Sequence, residues 1–106
     1  MIVIATYKVK KENFNDFLRL MNECEMCMRK ENLITSKPIY RMQSVINEEF
    51  LVEIFEWQNK NSFQEAQNNI SILNIWKLYE EKWVKGGFGI NEIPESNNSW
   101  AQFKSI

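Results

Sequence analysis

The stretch Phe50-Leu51-Val52-Glu53-Ile54-Phe55-Glu56-Trp57 decides the fold of this chain. Successive side chains of a strand point to opposite sides, so a strand with one wet face alternates apolar and polar residues. Here one side carries Phe50, Val52 and Ile54, and the other carries Leu51, Phe55 and Trp57. Both sides are apolar. The segment Ile2 to Val9 repeats the pattern, with Ile2, Ile4 and Thr6 against Val3, Ala5, Tyr7 and Val9. A sheet apolar on both faces needs two covers. The chain has helices enough for one, so the expected second cover is another copy of the chain, making the helix-free sheet face a homodimer interface.

Around these strands the order reads β-α-β-β-α-β, followed by a tail. A helix is predicted from Glu12 to Lys30, with Phe14, Phe17, Met21, Cys24 and Met28 on one face. Asn32 ends it in a left-handed conformation, which asparagine tolerates. Pro38 opens a strand from Ile39 to Val45, and Asn47 and Glu48 turn into the strand at Phe50, with the hairpin register left open. Ser62-Phe63-Gln64-Glu65 reads as a capping box that starts a second helix. Its inward residues are expected to include Phe63, Ala66, Ile70, Leu73, Trp76 and one of Tyr79 or Trp83, with a kink or break at Asn68-Asn69-Ile70-Ser71, where helix propensity is poor. Gly86 and Gly87 stop that helix, Phe88 to Ile93 form a fourth strand, and Pro94 ends it.

Two such βαβ halves make an α+β, ferredoxin-like domain over residues 1–94, one antiparallel sheet with both helices on one face. Pairing the bare faces of two sheets gives a dimeric α+β barrel. Residues 95–106 form a C-terminal arm whose Trp100 and Phe103 predict docking, on the domain or on the partner chain.

The chain has 106 residues, of which 44% are hydrophobic and 25% charged, a globular composition for one domain. Net charge is −1 with acids and bases interspersed, so no basic stripe exists to neutralise phosphates and nucleic acid is not an expected partner. No window approaches the run of about 20 apolar residues that spans a bilayer, and the apolar start is too short for a signal peptide. The expectation is a cytoplasmic protein with no membrane partner. There is no histidine. Imidazole is therefore unavailable as general base, haem ligand or metal ligand.

Glu56-Trp57, Ala66-Gln67, Ile75-Trp76-Lys77 and Ile93-Pro94-Glu95 ahead of Trp100 stand in an order and spacing that resembles the antibiotic biosynthesis monooxygenase-like family of dimeric α+β barrels. The likeness spans nearly the whole chain. Members of that family include cofactor-free oxygenases of phenolic or quinol substrates, haem-degrading enzymes and proteins with no established activity. Gln67 stands where the family often has histidine, and glutamine can orient a ligand but cannot shuttle a proton near neutral pH. The resemblance thus implies a cofactor-independent monooxygenase acting on a small aromatic molecule, with no cofactor. The alternative is a non-catalytic small-molecule-binding barrel, and a third reading is an assembly module with a filled core.

Glu53 is the candidate general base, because a carboxylate among Leu51, Phe55 and Trp57 loses hydration and gains pKa. A salt bridge to Arg41 or a hydrogen bond at the dimer seam would explain the same residue structurally. Trp76 and Tyr79 are the candidate walls for a flat ring, although an aromatic stripe at helical spacing also serves a core. Gln67 and Asn68 are candidate orienting amides, and Tyr40 and Phe55 complete the expected substrate-binding set. Trp57 is assigned to packing, Trp100 and Phe103 to a clasp on the partner. Cys24 and Cys27, a C-x-x-C well inside a helix, lack the helix N-terminus that activates redox thiols and are too few for structural zinc. They read as packing thiols, and no metal site is expected.

Overall fold

A computed structural model describes all residues from Met1 to Ile106. Strand β1, Ile2–Val9, leads through a short 3-10 turn into helix α1, Phe14–Lys30. Asn32 adopts φ 59°, the left-handed stop its side chain permits. Strands β2, Tyr40–Ser44, and β3, Phe50–Glu56, form a hairpin in which Gln43 faces Leu51, Met42 faces Val52 and Tyr40 faces Ile54. Helices α2, Ser62–Gln67, and α3, Ile70–Lys82, then lead to β4, Trp83–Gly86, and β5, Phe103–Ser105, closes the described chain. The sheet order is β4-β1-β3-β2-β5, all pairs antiparallel. Its first four strands are the ferredoxin-like order with helices on one face.

Three sequence expectations are corrected. The fourth strand lies at Trp83–Gly86 instead of Phe88 to Ile93, paired to β1 through Val9↔Trp83 and Tyr7↔Gly86. The two glycines are not a helix stop. A Cβ on Gly86 would clash with the Trp83 ring, so that glycine makes room for the indole. Gly87, at φ 67°, then turns the chain off the strand. Secondly, Ser62 does not form a capping box, because its Oγ accepts from the Asn59 N–H at 3.1 Å. Thirdly, Phe63, Ile70 and Leu73 are exposed rather than inward. The helix breaks at Asn68-Asn69 as its propensity requires, and Asn69 Oδ1 caps the new helix by accepting from Ile72 N–H. That break resets the phase. The buried row of α3 becomes Ile72, Ile75 and Tyr79.

The main core lies between the helices and one sheet face, built on Phe17, Met21, Leu51 and Ile72 with almost no exposure. The other face is covered in part by the chain itself. Thr6 Oγ1 donates to Phe88 O at 2.6 Å, and the Phe50 and Phe88 rings meet edge to face at 5.8 Å. Glu95, fully buried, accepts on Oε2 from Ser44 Oγ, Val45 N–H and Ile46 N–H at 2.9, 2.9 and 3.3 Å. Val52 and Ile93 are the two buried apolar residues outside the main core, and the segment from Phe88 to Glu95 forms a strap over this face. The cross-strand row of Lys8, Phe50, Ser44 and Phe103 and the row of Thr6, Val52, Met42 and Ser105 thus lie at the covered end. The next row leaves Ile4 48% and Tyr40 64% exposed, and Ile2 beyond it is 65% exposed. No helix is long and apolar enough to cross a membrane.

Candidate functional site

Alternation along β1 and β3 sends Val3, Ala5 and Tyr7, with Glu53, Phe55 and Trp57, toward the helices. These short and flat side chains do not fill the gap to α2 and α3. A cavity of about 580 Å³ remains, within the usual size range of small-molecule sites. Trp76 and Tyr79 line it from α3, Cys24 and Met28 from α1, and Phe63 and Gln67 stand at it from α2. Trp83 contributes from β4, and Gly87 and Phe88 from just beyond it.

Of the residues expected from sequence, Glu53, Trp76, Tyr79, Gln67 and Phe55 line this one cavity. Two do not. Asn68 is exposed in the break between α2 and α3, outside the wall. Tyr40 pairs with Ile54 on β3, so its side chain lies on the opposite sheet face, where it is exposed. It is Arg41 that pairs with Glu53 across the hairpin. Sequence reasoning missed Tyr7 and Cys24 as wall residues. The alternation of β1 against β3 places Tyr7 on the face of Glu53, and that was the signal available for it.

Glu53 is 4% exposed and is the one buried carboxylate in the cavity wall. Its Oε2 accepts from Arg41 Nε at 2.9 Å, and its Oε1 faces the Tyr7 hydroxyl at 3.3 Å. Burial pushes its carboxyl above the ordinary range, while Arg41 and Tyr7 pull back without cancelling the effect. All three guanidinium nitrogens of Arg41 are engaged, the remaining bonds going to Asn22 Oδ1 at 2.8 Å, Met21 O at 3.2 Å and Glu25 Oε1 at 2.9 Å. Burial opposes its charge, yet Glu53 and Glu25 together raise its pKa. Tyr7 is held neutral, first by burial and then by the charge of Glu53 beside it. Burial also raises Tyr79, and it pushes the Cys24 thiol up to about 11. Cys24 and Cys27 are free thiols, and Cys24 is buried in its protonated form at neutral pH. No group of three His, Cys, Asp or Glu side chains is placed to hold a metal ion.

The arrangement is a largely aromatic slot with one buried carboxylate, Glu53, in its wall. Phe17 braces the slot from behind, its ring 5.1 Å from Tyr7 and 4.7 Å from Tyr79. Phe55 and Trp57 meet edge to face at 4.9 Å. Such a site can hold a flat ring, strip its water and accept a proton from it.

Comparison with solved structures places the fold among known ones. A conserved protein from Methanosarcina mazei Go1 superposes with a TM-score of 0.67 at 25% identity, over 79% of this chain and 81% of that one. A structure described as a putative antibiotic biosynthesis monooxygenase from Nitrosomonas europaea gives 0.65 at 14% identity, over 83% and 86%. No family model and no curated protein matches the sequence. The resemblance read from Glu56-Trp57 onward therefore holds in three dimensions, at the level of the fold.

Proposed function

We propose that the protein is a cofactor-independent monooxygenase of a small phenolic or quinol substrate. The observation that carries this reading is the cavity: aromatic walls from Trp76 and Tyr79, with the buried Glu53 carboxylate set among them. A phenol bound there is desolvated and transfers its proton to Glu53, giving a phenolate that can pass electrons to O₂. The balance is phenol plus O₂ to quinone plus water, so the substrate supplies all four electrons and no external reductant is needed. The chain contributes orientation, exclusion of water and the base. Tyr7 and Arg41 hold the carboxylate in place, and Gln67 at the cavity supplies an amide for a ring substituent. Its two free thiols suit a reducing compartment such as the cytoplasm.

Oxygen uptake in an electrode cell decides the matter. With simple naphthols or quinols the parent protein is expected to consume O₂ above the buffer rate, the rate rising with pH as Glu53 loses its proton above the ordinary carboxylate range. Glu53→Gln should lower that rate about a hundredfold, the usual scale for losing a positioned base. Trp76→Ala should weaken substrate binding as well. Uptake no faster than buffer overturns the proposal, and ligand binding without uptake would leave a binding protein.

The same proposal includes a homodimer. Ile2, Ile4 and Tyr40 remain exposed on the helix-free face beside Met42 and Ile54, an apolar strip that a second copy would cover. Sedimentation equilibrium at micromolar concentration is expected to give twice the 12.7 kDa chain mass, and Ile4→Asp to give the single chain. A monomeric parent protein refutes this part.

A further inference from the structure

The charges around the cavity are one-sided. Among the side chains that line it there is no lysine, arginine or histidine, and both charged residues are acids, Glu53 and Glu80. Glu80 lies one turn beyond Trp76 on α3, exposed and in no ion pair. Arg41, which neutralises Glu53, is not part of the wall, and its three nitrogens are held by Glu53, Asn22, Met21 and Glu25. The remaining polar groups offer no positive charge. Thr6 donates to a backbone carbonyl, Tyr7 to Glu53, and Gln67 is a neutral amide.

From this one-sidedness we infer that the cavity selects aromatic ligands without an acid group, with Glu80 and Glu53 acting as the filter against carboxylated or sulfonated rings. This rests on the reading of the cavity as an aromatic-substrate site and narrows its substrate class. An anionic substituent entering the slot would give up its hydration with no free cation to receive it, repelled by the unpaired Glu80 and meeting in Glu53 a carboxylate that can only accept hydrogen bonds. A neutral hydroxyl meets neither penalty. A protonated amine at the mouth would be favoured by Glu80 and by the electron-rich faces of Trp76 and Trp83.

Equilibrium dialysis of the whole protein against 2-naphthol and 6-hydroxy-2-naphthoate at pH 7.5 tests it (the two share ring and hydroxyl and differ in the acid). The neutral ligand is expected to bind about tenfold or more tightly, the scale of one like-charge contact in a partly solvated site. Glu80→Lys, a surface change, should narrow that gap severalfold. Equal affinities for the two ligands overturn the inference even if both drive oxygen uptake. Preferential binding of the naphthol with no uptake upholds the inference while the oxygenase reading falls. Binding of neither overturns both, and a gap unchanged by Glu80→Lys removes Glu80 from the filter.

Discussion

Arg41→Met is expected to destabilise the fold by about 4 kcal/mol at pH 8, the usual result of removing one partner of a buried ion pair. The Arg41 side chain is 13% exposed and that of Glu53 5%, so the pair is largely shielded from water that could replace the guanidinium. Glu53 would be left as a buried charge, and Glu25 would lose its contact at 2.9 Å. The loss should depend on pH in a definite direction. Glu53 already has a folded pKa above its unfolded value, and without Arg41 that pKa climbs further. A carboxyl raised in the folded state contributes stability below its unfolded pKa, and this is lost as pH rises through the folded pKa. The variant should therefore lie nearer the parent at pH 5 than at pH 8, and Glu53→Leu in the same chain should recover more than half of the deficit. Urea unfolding at both pH values measures this. A loss below about 1 kcal/mol at pH 8 would mean that Glu53 is hydrated after all.

Phe17→Ala is the second large effect, about 4 kcal/mol, which lowers Tm by roughly 15 °C in a chain of this size. Phe17 has no exposed surface, and its ring touches both Tyr7 and Tyr79. Deleting it removes two aromatic contacts and opens a void behind the slot wall. Because Tyr7 and Tyr79 line the cavity, the void should merge with the ligand space, and naphthol affinity should fall along with stability. Calorimetric unfolding and a binding titration read the two effects separately. If Tm falls by less than about 5 °C, the neighbouring side chains have collapsed into the space.

Much of this architecture can be read from the residues, and the parts that cannot are instructive. Alternation in Phe50–Glu56 and Ile2–Val9 is a local, period-two property, so it reports strand faces directly and brings Glu53 to the cavity wall. Trp76 and Tyr79 follow from helical spacing once the break at Asn68-Asn69 is granted. Ile70 and Leu73 mislead because that break rotates α3 relative to α2, and a continuous periodicity cannot register a reset of phase, while Phe63 sits one position off the buried row of Ser62 and Ala66. Tyr40 fails for a different reason: the partner of Glu53 is fixed by hairpin register, and Asn47-Glu48 permits more than one. The covering of the helix-free face was the least legible part. It depends on Glu95 finding the backbone amides of Val45 and Ile46 some fifty positions earlier, a long-range match that no window of sequence displays. The strap leaves a smaller bare strip than the strands by themselves suggest.

The four tryptophans are unequally placed: Trp57, Trp76 and Trp83 stand in the cavity wall, while Trp100 is 89% exposed. The protein thus contains its own optical sensor. A ligand in the slot would be expected to change the colour and yield of three emitters, while the fourth, bathed in solvent, serves as an internal standard that a soluble quencher can switch off by itself. Occupancy can be followed in the unlabelled chain.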